Sequence, residues 1–178
     1  ENSSESLKTY TQRALEILGS PLIREAIDLR REPESVRQAY GEGTDPRAQG
    51  LDFLRARRLV EAGVSIVSVA ARFSVNIGGG INDPGGWDTH ASNFKLLRAK
   101  LPIYDQAVAA LINDLHERGM ADDVAVVIWS EFGRQPKVGD VTPDGRGHWP
   151  SAASALVAGG GLKMGCIVGE INARGETA

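Results

Sequence analysis

A continuous apolar run from Val124 to Trp129 sets the first limit on the fold of this 178-residue chain. Six apolar residues in a row are too few to cross a membrane, but they are typical of a strand buried on both faces of a parallel sheet. A β-branched run at 64–69 and a helical pattern from Asn93 to Arg118 precede it, and shorter strands are expected at 152–158 and 167–168. This alternation of strand and helix predicts a parallel sheet covered by helices.

The first 60 residues have the pattern of short helices instead. Apolar residues recur at helical spacing in segments 4–18, 21–29 and 34–40. A further helix is expected to begin at Asp45-Pro46, after a polar loop. We therefore expect a helical segment at 1–45 and an α/β domain at 46–178.

Charge and cysteine content exclude several classes of function. Lys and Arg total 20 against 23 Asp and Glu, a net charge of -3 without a basic stripe, so nucleic acid is not an expected partner. Cys166 is the single cysteine, which excludes disulfides within the chain, zinc ribbons and iron–sulfur clusters. The sequence also lacks the glycine-rich nucleotide motifs and the G-x-S-x-G elbow of serine hydrolases.

Side chains able to carry chemistry concentrate in three loops that are predicted to follow strands. These loops are Gly86–His90, Ser130–Arg134 and Gly145–Pro150. Ligands of open α/β sheets bind beyond the carboxyl ends of the strands, so we expect the three loops to lie close together.

Four residues of these loops form a candidate metal site, namely Asp88, His90, Glu131 and His148. Asp88 and His90 are two residues apart and face the same side of an extended chain. Two carboxylates and two imidazoles suit a divalent metal, which we leave open among Zn, Mn, Fe, Mg and Ca. Such a metal acts as a Lewis acid on an ester oxygen or lowers the pKa of a bound water.

Each of these residues also has an ordinary structural interpretation. Asp88 is a possible cap for a helix that begins near Ser92, His90 a hydrogen-bonding loop residue, and Glu131 a partner of Arg134. Arg134 and Arg146 are either surface charges or bidentate donors to a phosphate or sulfate oxygen. Under the second interpretation these two arginines are the candidate catalytic residues.

The motifs together resemble a known family. The segments are GWDTH at 86–90, the helix of 93–118, VVIWSEFGR at 126–134, GRGHWP at 145–150 and AGGG at 158–161. They are similar to an uncharacterised bacterial sulfatase-like family, domain-of-unknown-function family 1501, of the alkaline phosphatase superfamily. The resemblance runs from about residue 46 to 170. It implies a three-layer αβα sandwich with a mostly parallel sheet, and metal-dependent hydrolysis of small phosphate or sulfate esters.

The resemblance also implies roles for single residues. Asp88 and His90 correspond to a carboxylate–imidazole pair on one metal, although the superfamily usually spaces this pair as D-x-x-x-H. Glu131 takes the place of the aspartate in a T/S-D-H-G segment, and His148 that of a late histidine ligand. Phe132 stands where the histidine of that segment would be, so a centre with two metals is not expected.

Other departures from the pattern concern missing groups. Gly147 stands where the family leads us to expect an aspartate. The superfamily's first metal-binding aspartate and its Ser, Thr or modified Cys nucleophile follow an early strand that this chain does not contain, and Cys166 has the wrong context to replace the nucleophile. We therefore expect the chain to be the C-terminal part of a longer protein. The expectation that this protein is exported rests on the family resemblance alone.

Three functions remain from the sequence. The first is a hydrolase of phosphate or sulfate esters that depends on a divalent metal and is incomplete in this chain. The second is a relative without catalysis, in which a degenerate metal site binds a ligand or partner. The third is a structural fragment that acts only with its missing part. The sequence leaves the substrate, the metal and the oligomeric state open.

Overall fold

The computed structural model describes residues 2–43, 50–78, 83 and 86–177. Its helices are α1 (Asn2–Gly19), α2 (Pro21–Ile27), α3 (Glu34–Ala39), α4 (Leu51–Glu61) and α5 (Asn93–Glu117), with a 3₁₀ turn at Leu29–Arg31. Its strands are β1 (Ala125–Ile128), β2 (Gly133–Arg134), β3 (His148–Trp149) and β4 (Leu156–Gly159). The predicted helices at 4–18, 34–40 and 93–118 are confirmed, and the helix predicted at 21–29 ends at Ile27, before the 3₁₀ turn. The expected helix start at Asp45-Pro46 and the boundary after residue 45 lie outside the described residues.

The expected three-layer αβα sandwich with a mostly parallel sheet is wrong. The described strands form two separate antiparallel pairs of two strands each. In the first pair Ala125 lies opposite Gly159 and Ile128 opposite Leu156. In the second, Gly133 lies opposite Trp149 and Arg134 opposite His148. The chain is thus a helical assembly with two small ribbons in the part of it that the structure describes.

The error comes from equating an apolar run with burial on two faces. Burial alternates along β1, where Val126 packs against the core and its neighbour Val127 is exposed. The run at 64–69 forms no strand and pairs with no described strand, and Ile66 in it is 85% exposed. The short strand expected at 167–168 is likewise not formed, and Ile167 there is 97% exposed. An apolar run does not show whether other segments pair with it, and a parallel sheet needs such neighbouring strands.

The core lies where α4 and α5 pack together. Its buried members, drawn from both helices and from the segments before and between them, are Leu29, Tyr40, Phe53, Leu54, Phe73, Ala107, Leu111 and Leu115. Val124 and Val126, at the start of the first ribbon, pack against the same cluster. Of the helices described, none has the length and apolar content needed to cross a bilayer. Helix α5 is therefore held in the core, and the loops that precede and follow it extend from its two ends.

The start of α5 is fixed by a residue from a distant loop. Ser92, the residue before the helix, has a left-handed backbone with φ 54°. The backbone N–H of Ser92 donates to Asp144 Oδ1 at 3.0 Å, and that of Asn93 donates to the Asp144 carbonyl at 3.0 Å. Asp144 thus satisfies donors that a helix start leaves free, and it joins the loop between β2 and β3 to α5.

Candidate metal centre

The segment from Trp87 to His90 alternates between the core and solvent. The Trp87 ring meets Tyr104 edge-on at 5.5 Å, and its Nε1 donates to the Ala71 carbonyl at 2.7 Å. Thr89 is 2% exposed, and its hydroxyl donates to Asn93 Oδ1 at 2.6 Å. Because side chains alternate along an extended chain, anchoring Trp87 and Thr89 inward turns Asp88 and His90 outward together.

The second ribbon brings the other half of the site. Pairing of β2 with β3 sets Arg134 directly opposite His148. The Gln135 backbone N–H donates to the Gly147 carbonyl at 3.0 Å, and the Gly147 backbone N–H donates to Gln135 Oε1 at 2.9 Å. The Arg146 guanidinium donates to the carbonyls of Arg134, at 3.0 Å, and of Gln135. The loop between the strands is therefore closed at its base by both backbone and side chains.

This loop docks directly on the segment that carries Asp88 and His90. The Arg146 backbone N–H donates to the Thr89 carbonyl at 3.1 Å, and the Thr142 hydroxyl donates to the His90 carbonyl at 2.7 Å. A Cβ at Gly145 would collide with that same His90 carbonyl oxygen. Glycine is required there because the two backbones approach too closely for a side chain.

Three of the four predicted ligands meet as a result. One ligand atom each from Asp88, His90 and His148 lies within 4.8 Å of the others. Asp88 Oδ1 contacts His90 Nδ1 and lies 3.7 Å from His148 Nε2, and the two imidazole rings are 4.7 Å apart. The side chains of Asp88, His90 and His148 are 52%, 40% and 45% exposed, so solvent and a small solute can reach the cluster.

The fourth predicted ligand is not part of this grouping. Glu131 is exposed in the loop after β1 and is absent from the described cluster, so its role as a ligand stays a prediction. The next residue reaches the site instead, because the Phe132 ring lies 4.2 Å from the His148 ring at an angle of 34°. Phe132 therefore covers one face of the imidazole.

Spacing singles out Arg134 but does not reveal that Arg134 binds Asp88. Its Nη1 donates to Asp88 Oδ1 at 2.7 Å and its Nη2 to the Trp87 carbonyl at 3.1 Å. Burial raises the pKa of Asp88, but the hydrogen bond from Arg134, with the charges of Arg134 and the two histidines, outweighs this and holds the pKa below its ordinary 3.8. Asp88 is therefore an ionised carboxylate at neutral pH, and Asp144, not Asp88, caps the helix that begins after Ser92.

The donor set fits a divalent transition metal. One carboxylate oxygen and two imidazole nitrogens are ligands that suit Zn, Mn and Fe. Three protein ligands are also the number found in catalytic zinc sites, where a further position is left for water or substrate. The candidate metal centre is thus defined as Asp88, His90 and His148, with Arg134 bound to its carboxylate.

The chain was compared with protein families, curated proteins and solved structures. A family model described as "Protein of unknown function (DUF1501)" matches residues 2–178. The searches of curated proteins and of solved structures found no match.

Proposed function

The chain belongs to the DUF1501 family, described as proteins of unknown function, and from its site we propose that it serves the metal-dependent hydrolysis of a phosphate or sulfate ester. The observation that carries the proposal is the convergence of Asp88, His90 and His148 from two separate loops. These loops bring together side chains up to 60 residues apart, and the hydrogen bonds beneath them are buried, at Thr89, or partly buried, at Thr142.

The residues of the candidate metal centre divide the work between them. Asp88 supplies an ionised oxygen, and His90 and His148 supply the imidazole nitrogens that would hold the metal. A divalent metal bound by them would polarise an ester oxygen or lower the pKa of a bound water. Phe132 limits the rotation of the His148 ring, and the partial exposure of the ligands admits a small substrate.

The substrate class is supported by charge and by the resemblance to sulfatase-like proteins. Arg134 places a permanent cation against the Asp88 carboxylate of the cluster, and a phosphate or sulfate ester carries the complementary charge. The Arg146 guanidinium donates to two backbone carbonyls, so its role is to hold the loop. We assign no nucleophile within this chain.

A second candidate function is a site without catalysis, and one observation favours it. The Asp88 carboxylate is already paired with Arg134, and the flank of Gly147 is filled by the Gln135 amide, 2.6 Å from where a Cβ would lie. No further carboxylate could enter at position 147 without displacing that amide. A centre of this kind would bind a metal or an anionic ligand without catalysing a reaction.

The first experiment measures metal binding to the purified chain by calorimetry with Zn²⁺ and Mn²⁺. We expect about one ion per chain, and we expect His148→Ala to weaken binding by about 100-fold because a direct ligand is lost. The control is His116→Ala, which removes an exposed histidine at the end of α5. Equal binding by the wild type and His148→Ala would show that the ligand assignment is wrong.

Ester hydrolysis is then measured with 4-nitrophenyl phosphate and 4-nitrophenyl sulfate on the protein loaded with the metal that it binds. Turnover that requires the metal and is lost in His148→Ala supports the proposed hydrolase. Metal binding that depends on His148 without turnover of either ester class favours the second candidate instead.

A further inference from the structure

One oxygen of the candidate metal centre has three neighbours. Asp88 Oδ1 contacts His90 Nδ1, lies 3.7 Å from His148 Nε2 and accepts a hydrogen bond of 2.7 Å from Arg134 Nη1. The two imidazoles are metal ligands only when neutral, whereas the arginine is a permanent cation that cannot coordinate a metal. The space beside this oxygen therefore already contains a positive charge.

Arg134 is held in this position and is not a mobile surface side chain. Its backbone is paired in β2 opposite His148, and its side chain is only 20% exposed. Nη2 donates to the Trp87 carbonyl at 3.1 Å, and Nη1 also lies 3.4 Å from the Arg146 carbonyl. Since Trp87 is itself anchored in the core, the guanidinium is fixed at Asp88 from two directions.

We propose that Arg134 is a built-in counter-cation of Asp88 that competes with a divalent metal for the carboxylate oxygen and so sets the metal affinity of the site. The proposal rests on the proposed function for the existence of the metal. Arg134 is then a positioning residue, since it acts through Asp88. Its anchor on the Trp87 carbonyl does not depend on Asp88, so this anchor keeps the guanidinium beside the cluster once the carboxylate is taken.

The sign of the effect follows from two contributions that act in the same direction. A metal at Asp88 must displace or weaken the hydrogen bond from Arg134, which costs part of the binding free energy. The guanidinium also repels a divalent cation bound close to it. Removal of the charge should therefore raise the metal affinity, by about tenfold for a pair this exposed. If Arg134 served mainly to orient Asp88, its removal would lower the affinity.

The test compares Zn²⁺ and Mn²⁺ binding by calorimetry in four proteins: the wild type, Arg134→Gln, Arg134→Lys and Lys137→Gln. Arg134→Gln removes the charge and is expected to bind about tenfold more tightly. Arg134→Lys keeps the charge and is expected to stay close to the wild type. Lys137→Gln is the matched control, because it removes an exposed cation of the loop between β2 and β3 that pairs with Asp140 and makes no described contact with Asp88. Circular dichroism verifies that each variant is folded, and Arg134→Met replaces Arg134→Gln if that variant fails to fold.

The outcomes separate this proposal from the proposed function. Tighter binding by Arg134→Gln, with Arg134→Lys and Lys137→Gln near the wild type, supports the counter-cation, as does binding that appears only in Arg134→Gln. Equal or weaker binding by Arg134→Gln overturns the counter-cation but leaves the proposed function intact, provided that the wild type binds metal. An equal gain in Lys137→Gln also overturns it, because the effect would then be one of general charge. Absence of binding in all four proteins overturns both.

Discussion

At the scale of single residues, Thr89 determines how the candidate metal centre is presented. It lies between Asp88 and His90 but faces the opposite way, and its hydroxyl is buried against Asn93. The Asn93 amide nitrogen has no partner among the described residues, so the hydroxyl of Thr89 is the main polar contact of that buried side chain. The contact joins the site to the first turn of α5.

Replacement of Thr89 by valine should test this contact. The change keeps the shape but leaves Asn93 Oδ1 buried without a donor, which we expect to lower the free energy of unfolding by about 1–3 kcal/mol. Thr89→Ser retains the hydroxyl and should lose less. Urea denaturation of the three proteins measures the difference, and equal stability of the valine and wild-type proteins would contradict the role given to the hydroxyl.

The sequence predicts the three residues of the candidate metal centre as members of one site, but it does not predict the contacts that join their loops. Asp88 and His90 were predicted to share a side because two residues of extended chain repeat one direction. The pairing of Arg134 with Asp88 spans 46 residues, and the Asp144 bond to Ser92 spans 52. Such pairs depend on how two loops pack, which no local pattern in one sequence encodes.

At the scale of elements, helices were predicted well and sheets were not. A helix such as α5 forms its hydrogen bonds within itself, so the helical spacing of its apolar residues is enough to predict it. A strand needs a partner, and the run from Val124 to Trp129 contains no information about which segment supplies one. Its partner in the structure is β4, which runs antiparallel to it.

The helices are also joined by a buried network of charges. Arg57 of α4 is fully buried and lies 3.0 Å from Glu32 Oε2 and 2.8 Å from Asp114 Oδ2 of α5. Glu32, just after the 3₁₀ turn, also pairs with Arg58 and, at 3.2 Å, with Arg118. Removing one partner of such a network leaves a buried charge uncompensated.

This network predicts how stability depends on pH. Burial raises the pKa of Glu32, but the hydrogen bond and charge of Arg57, with Arg58 and Arg118, outweigh it and hold the pKa below its ordinary 4.5. The folded state therefore binds this proton less readily, so the stabilisation is complete above that ordinary value and is lost as the pH falls through the folded pKa. Glu32→Gln should lower the free energy of unfolding by about 3 kcal/mol at neutral pH. The variant should also lose less stability than the wild type as the pH falls, because glutamine does not take up a proton. Urea midpoints between roughly pH 7 and 3 measure this; parallel curves for both proteins would contradict it.

At the scale of the whole molecule, apolar side chains are unevenly covered. The first ribbon has two strands, β1 and β4, and exposes Val127 and Val157, which lie opposite each other. Large apolar side chains after β4 are exposed as well, among them Leu162, Ile167 and Val168. Apolar surface next to strand edges favours association with other chains.

We therefore expect the isolated chain to associate with itself as its concentration rises, with light scattering as the measurement. Val157→Lys should reduce the association because it places a charge on the exposed face of the ribbon. Leu7→Lys, which changes an even more exposed apolar residue on α1, is the control and should have a smaller effect. An equal reduction by both variants would mean that the ribbon is not the contact surface.

The closed loop between β2 and β3 has a consequence for the order of folding. Its docking on the His90 carbonyl, its cap on α5 and the contact of Arg134 with Asp88 all join segments about fifty residues apart. Contacts so distant in sequence are costly to form until the intervening chain is ordered. The helices can form early in folding, whereas Asp88, His90 and His148 meet only when the loop between β2 and β3 has closed. Only the fully folded chain would therefore bind a metal at this site, and partly folded forms would not.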